Sequence, residues 1–300
     1  MYSASIALPA SLQEYDIAIL SEGFADLEPV AQSALRQGGH RGDWRVQWIF
    51  SDAPNVADLQ ARLEIQKTLL EYDLTDMGAW DVQAIDTDTD WLQESYRAFP
   101  PFSVGPFFIH GSHYDGEVPS GQMSLQIDAA TAFGSGEHGT TKGCLQAMLD
   151  MKGAGQCPWN VLDMGCGSGI LAIGAWKLWK TPILAVDIDP ESVRVSEHHA
   201  NLNGVNLGGS CLTCEAGDGF SAPLVGKKAP FDLIIANILA GPLIEMAADL
   251  AAVSDDKGYV ILSGMLNEQA DKVLAAYTPL GFTLKERYDI GEWTTLKLQK

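Results

Sequence analysis

One stretch limits what this chain can fold into: Val161-Leu-Asp-Met-Gly-Cys-Gly-Ser-Gly-Ile-Leu-Ala-Ile173. Val161 and Leu162 are an apolar pair suited to a strand covered on both faces. Gly165, Gly167 and Gly169 then break the pattern, permit a tight turn and let a ligand approach bare backbone. Ile170, Leu171, Ile173, Trp176 and Leu178 follow as the apolar side of a helix. Strand, glycine turn and helix in that order predict an α/β sheet.

Two ligands suit such a turn. A dinucleotide would set its pyrophosphate on the helix N-terminus. S-adenosylmethionine has no phosphate and carries a sulfonium cation. The strict Gly-x-Gly-x-x-Gly spacing fails because Ile170 stands where the third glycine counted from Gly165 belongs. A looser match survives through Gly167, Gly169 and Ala172, so the dinucleotide stays open. Asp163, at the end of the strand, weighs against it: a carboxylate there repels phosphates and suits a cationic methionine moiety. A tight turn with no ligand is the third reading.

After Met123–Ile127 the pattern is α/β, with strands expected near 161, 183, 211, 231 and 258 and helical patterns between most of them. Before it, residues 4–8 and Trp44–Phe50 read as strands, Pro54–Leu70 as a helix and Val82–Ile85 as a further strand. Residues 11–20 place Leu12, Tyr15, Ile19 and Leu20 on one helical side. That order fits a βαββαβ, ferredoxin-like module, with its middle strand near residues 27–35 poorly marked. We therefore expect a domain over 1–88, a linker over 89–120 containing an apolar strand at Phe107–Ile109, and a second domain over 121–300.

The net charge of −20 disfavours gripping nucleic acid backbones and favours a basic partner or mere solubility. Residues 71–94 hold eight acids and no Lys or Arg, which reads as a solvated connector or as an electrostatic guide for a lysine-bearing substrate. The first residues carry no basic cluster followed by an apolar run, and no apolar stretch is long enough to span a bilayer, so a cytoplasmic protein is expected. Five cysteines without a secretory signal argue against a disulfide framework. Cys211-Leu-Thr-Cys214 lacks a second Cys or His pair, so no metal site is expected.

Asp187 closes the strand Ile183–Asp187, where an acid can accept from both ribose hydroxyls of an adenosine. Asp189-Pro190 reads as a helix cap. Asn237 ends Phe231–Asn237 at the carboxyl edge, where ligand and substrate meet; it reads either as a functional amide or as a cap for the segment after Gly241-Pro242. Asp218 divides evenly between an adenine contact and a cap. Phe133-Gly-Ser-Gly-Glu-His-Gly-Thr-Thr141 precedes a helix, with Thr140 and Thr141 as caps and His138 as a contact candidate. His198 and His199 are expected at the surface.

Taken together, Phe133–Thr141, Leu162–Ile173, Asp187-Ile-Asp-Pro190, Asn237-Ile-Leu-Ala-Gly-Pro-Leu243, Leu262-Ser-Gly264 and Glu292-Trp293 resemble the ribosomal protein L11 methyltransferase family, PrmA, over nearly the whole chain. The resemblance implies a class I methyltransferase sheet, mostly parallel with an antiparallel C-terminal hairpin, behind a ferredoxin-like domain that recognises the ribosomal protein. It implies S-adenosylmethionine as cofactor, bound by Thr141, Gly165, Gly167, Asp187 and Asn237, with Phe133 and His138 around its methionine end. It implies methylation of lysine ε-amino groups, and of the N-terminal α-amino group in some members, with Asn237 at the transfer. The partner would be ribosomal protein L11, with no nucleic acid or membrane contact and a monomeric enzyme. Ser135, Glu137 and Gly139 stand where the family has Thr, Thr and Pro. The residues by themselves leave open another protein substrate, a nicotinamide-dependent oxidoreductase and a non-enzymatic adenosine binder.

Overall fold

The computed structural model describes residues 1–12, 16, 17, 20, 23, 24, 27, 29–36, 43–70, 78–84, 101–128 and 139–300. The chain divides into two compact units, Met1–Asp90 and Trp91–Lys300.

In the first unit β1 (Tyr2–Leu8), β2 (Ala31–Arg36), β3 (Trp44–Phe50) and β4 (Asp81–Ala84) form one antiparallel sheet in the order β2-β3-β1-β4. That order is the ferredoxin-like one. Ile6 lies opposite Val46 and Leu8 opposite Trp44, so alternate residues of the two central strands share the core face. Burying such a side chain contributes roughly 1.5–3 kcal/mol, more than the ~1 kcal/mol span of strand propensity, so the apolar face fixes the register. Leu59 and Leu63 of α1 (Val56–Leu70) close that core, as their spacing predicts. Asn55 caps α1 by accepting from the Ala57 amide at 2.9 Å. The middle strand lies at 31–36. Half of the helix expected over 11–20 lies outside the described residues.

The second unit holds two sheets. β5 (Phe102–Val104) runs antiparallel to β6 (Phe107–His110), which runs parallel to β7 (Met123–Gln126). Within the stretch expected as a linker, Val104, Phe107 and Ile109 are therefore buried in the core of the second unit. The larger sheet comprises β8 (Val161–Met164), β9 (Ile183–Asp187), β10 (Leu212–Ala216), β11 (Phe231–Asn237), β12 (Ser254–Leu266), β13 (Thr283–Ile290) and β14 (Trp293–Gln299). Their order is β10-β9-β8-β11-β12-β14-β13. The first five are parallel; β14 and β13 form the antiparallel edge.

The strand residues divide by parity between two cores. Val161, Ile183, Ile235 and Ile261 pack with α2 (Gly139–Gly153) and α3 (Ile170–Trp179). Leu162, Leu184, Ile234 and Val260 pack on the other side with α6 (Ala240–Glu245), α7 (Ala247–Val253) and α8 (Ala270–Tyr277). Unbroken apolar runs are what strands covered on both sides require. The connections also use α4 (Pro190–Leu202) and α5 (Pro223–Lys228). The chain leaves β8 toward β9 and β10, then crosses to β11 on the other flank of β8. The carboxyl ends of β8 and β11 thus flank the point of reversal, where open parallel sheets bind ligands.

Candidate active site

The glycine turn forms as its sequence predicts. Gly165, Gly167 and Gly169 have φ of 72°, 50° and 77°, left-handed values that favour glycine. A Cβ on Gly165 would lie 2.3 Å from the side chain of Ile238, just past β11, so any side chain there would force Ile238 to shift. The Gly165 and Cys166 amides both donate to Val186 O, at 2.8 and 3.0 Å, which extends the β8–β9 pairing into the turn.

Two carboxylates close the turn from within. Asp163 Oδ2 accepts from the Ala172 amide at 2.9 Å, in the first turn of α3. Asp163 Oδ1 is buried with no hydrogen-bond partner among the described residues. Burial, reinforced by the nearby Asp187 charge and opposed by the Ala172 bond, raises this carboxyl from 3.8 to about 7. Asp187 Oδ2 accepts from the Gly167 amide at 2.8 Å and Oδ1 from the Asp189 amide at 3.0 Å. Each carboxylate oxygen has two lone pairs, so this partly exposed group retains acceptor capacity. Asp189 is the cap its sequence suggests, accepting from Glu191 and Ser192. Asp218 is exposed before a short 3-10 turn and makes no side-chain cap bond. The Gly217 amide donates to Asp187 O, which places that loop beside Asp187.

Asn237 ends β11, paired with Ser263 of β12. It does not cap the next helix: α6 is preceded by Leu239 and has no side-chain cap bond. Its Nδ2 instead points to Thr141 Oγ1 at 3.5 Å. Thr140 and Thr141 lie inside the first turn of α2, both buried, not ahead of it as caps. Gly165, Gly167 and Asp187 therefore meet at the β8–β9 side of the crevice, and Thr141 with Asn237 at the end of β11. Phe133 and His138 lie outside the described residues.

The expectation for His199 is corrected as well. His199 is 2% exposed, not a surface residue. Its Nδ1 lies 2.7 Å from Ser168 O, and its Nε2 accepts from the Asp128 amide at 3.0 Å. Burial lowers its pKa, so the ring is neutral near pH 7. One helical turn earlier, Ser196 Oγ donates to Gly167 O at 2.9 Å and contacts Cys166 Sγ. The signal was present in sequence as the inward stripe Val195, Ser196, His199 and Ala200 of α4, whose polar members face the turn. Cys211 and Cys214 are both free thiols, and burial pushes Cys214 up to about 12.

The ionised fraction of Asp163 near pH 7 adds to the Asp187 charge beneath the glycine turn, a field that suits a cation better than a pyrophosphate. Five parallel strands closed by an antiparallel pair, a reversal beside β8 and this glycine turn together define a class I methyltransferase. A model of the ribosomal protein L11 methyltransferase family (PrmA) matches residues 13–300. The chain is 38% identical to the ribosomal protein L11 methyltransferase of Rhodopseudomonas palustris over 284 residues, covering 94% of this chain and 91% of that protein. It is 47% identical to the one from Sinorhizobium fredii over 215 residues, 71% of this chain and 72% of that one. Among solved structures, a ribosomal protein L11 methylase from Lactobacillus delbrueckii subsp. bulgaricus superposes with a TM-score of 0.58 at 31% identity, covering 67% of this chain and 98% of that one. The chain belongs to the ribosomal protein L11 methyltransferase family, enzymes that use S-adenosylmethionine to methylate protein.

Proposed function

We propose that this enzyme methylates amino groups of ribosomal protein L11, lysine ε-amino groups and the N-terminal α-amino group, at the carboxyl ends of β8 and β11. The observation that carries this is the Asn237 amide, unused as a cap and set beside Thr141 at the sheet's point of reversal. The residues fit the cofactor: an orphaned buried carboxylate oxygen on Asp163, two glycines partly open to the crevice, and spare acceptor capacity on Asp187. Asp187 would hold the ribose hydroxyls, Gly165 and Gly167 would admit the adenosine, and Asp163 would face the cationic methionine end. When bound, the cofactor supplies a methyl group activated by positive sulfur.

The chain's own work is to orient a neutral amine. A free lysine has a pKa of about 10.4 and is mostly protonated at pH 7. Desolvation in the crevice favours the neutral form. Asn237 Oδ1 accepts from an amine N–H and fixes the direction of its lone pair, while Nδ2 faces Thr141 Oγ1 at 3.5 Å. Released protons pass to solvent; Asn237 does not titrate and serves in positioning alone. The ferredoxin-like unit would bind the ribosomal protein, helped by the acidic run over 71–94 drawing in lysine-bearing surfaces. Among the described residues no helix is long and apolar enough to cross a membrane, in keeping with action on ribosomal protein in the cytoplasm.

The test is incubation with methyl-labelled S-adenosylmethionine and purified L11, followed by peptide mass spectrometry. Label on Lys side chains or the N-terminus of L11 is expected. Label confined to other residue types or other proteins of a lysate would overturn the proposal.

A further inference from the structure

The two hydrogen bonds of His199 fix its tautomer. Ser168 O can only accept, so Nδ1 carries the proton; the Asp128 N–H can only donate, so Nε2 carries the lone pair. The ring thus joins the glycine turn to Asp128, two residues past β7. Its neighbours extend the junction. Ser196 holds the preceding turn carbonyl, Gly167 O. Asn203, directly after α4, donates to Gln126 O at 2.8 Å and accepts from Gln126 N at 3.0 Å, so side chains from this end of α4 satisfy the edge of β7 not paired with β6. Lys177 of α3 reaches both Asn203 Oδ1, at 2.9 Å, and Ser124 O. The consequence shows in the turn: Cys166, Ser168 and Gly169 are buried on the α4 side, and Gly165 and Gly167 are left partly open at the crevice.

We propose that His199 is a positioning residue for cofactor binding, and that its Nδ1–H bond to Ser168 O is the part that matters, because it keeps consecutive turn carbonyls facing α4 and away from the ligand. The inference rests on the glycine turn being the cofactor site proposed above.

Three substitutions separate the two bonds. His199→Asn places an amide N–H where Nδ1 stood and retains the Ser168 bond alone. His199→Gln extends an amide oxygen to where Nε2 stood and retains the Asp128 bond alone. His199→Phe keeps the bulk and loses both. Calorimetric titration with S-adenosylmethionine should find the Asn variant within about threefold of the parent and the Gln and Phe variants weakened about tenfold or more, as loss of a buried hydrogen bond at a binding turn implies. Steady-state kinetics should show the loss in KM for the cofactor, with KM for L11 and kcat at saturating cofactor nearly unchanged. A residue that only supported the fold would lower the melting temperature of all three and produce no such split. Equal affinity for the Asn and Gln variants, or a tighter Gln variant, would overturn the proposal, and that comparison stands if the Phe variant does not fold. Asp187→Ala serves as the control: if it loses affinity while the His199 series does not, the His199 inference fails alone; if neither does, the glycine turn is not the cofactor site.

Discussion

Replacing Asp163 with Asn should make the ligand-free protein more stable and the cofactor bind less well. The carboxyl is 1% exposed, has one oxygen on the Ala172 amide and leaves the other buried without a partner. Its pKa is raised from 3.8 to about 7, chiefly by burial. Between those values the native state holds a proton that the unfolded chain has released, so the parent loses stability as pH rises from about 4 to about 7, and the loss stops above that. From pH 5 to pH 8 the affected span is about two pH units, or roughly 3 kcal/mol at 1.36 kcal/mol each. Asn offers Oδ1 to the same amide and does not titrate. Urea unfolding of ligand-free parent and variant should therefore diverge by roughly 3 kcal/mol in favour of Asn between pH 5 and pH 8. At pH 8 the variant should bind S-adenosylmethionine about tenfold or more weakly, because the charge proposed to act on the cation is gone. Parallel pH profiles would refute the burial argument. A stabilised variant with undiminished affinity would refute the placement of Asp163 toward the cofactor.

Other expectations follow from the same geometry. Asp187→Ala removes the proposed acceptor for the ribose and the bonds to the Gly167 and Asp189 amides, so calorimetry should show roughly 100-fold weaker cofactor binding; an unchanged constant would reject the ribose assignment. Gly165→Ala combines a φ of 72° with a Cβ 2.3 Å from the Ile238 side chain, and should cost roughly 1–3 kcal/mol in denaturant unfolding; a neutral result would show that the ends of β8 and β11 have room to part.

Much of the second unit was legible because strands covered on both faces leave unbroken apolar runs. Val161–Met164, Ile183–Asp187 and Phe231–Asn237 could be read almost to the residue. The glycine turn was legible because few other structures need three left-handed glycines between a strand and a helix. In the first unit β3 stood out through Trp44, Val46 and Trp48, while β2, with the sequence Ala-Gln-Ser-Ala-Leu-Arg, carries no large alternating face. It becomes a strand because β3 offers it an open edge, and that is a tertiary fact. The partner of Asn237 was left open in the sequence, and that of His199 misread, for a related reason. Whether an amide caps a helix or reaches Thr141, and whether a histidine faces water or a turn carbonyl, depends on which partners the fold brings near. For His199 the bland surface reading failed because α4 packs that side against the glycine turn.

The proposed work of Asn237 is to hold the reacting amine at the carboxyl end of β11. Single-turnover methyl transfer to L11, with enzyme in excess and cofactor saturating, tests it most directly by comparing the parent with Asn237→Ala. The variant's rate should be at least about 100-fold lower, with unfolding stability within about 1 kcal/mol of the parent. Equal single-turnover rates would contradict it.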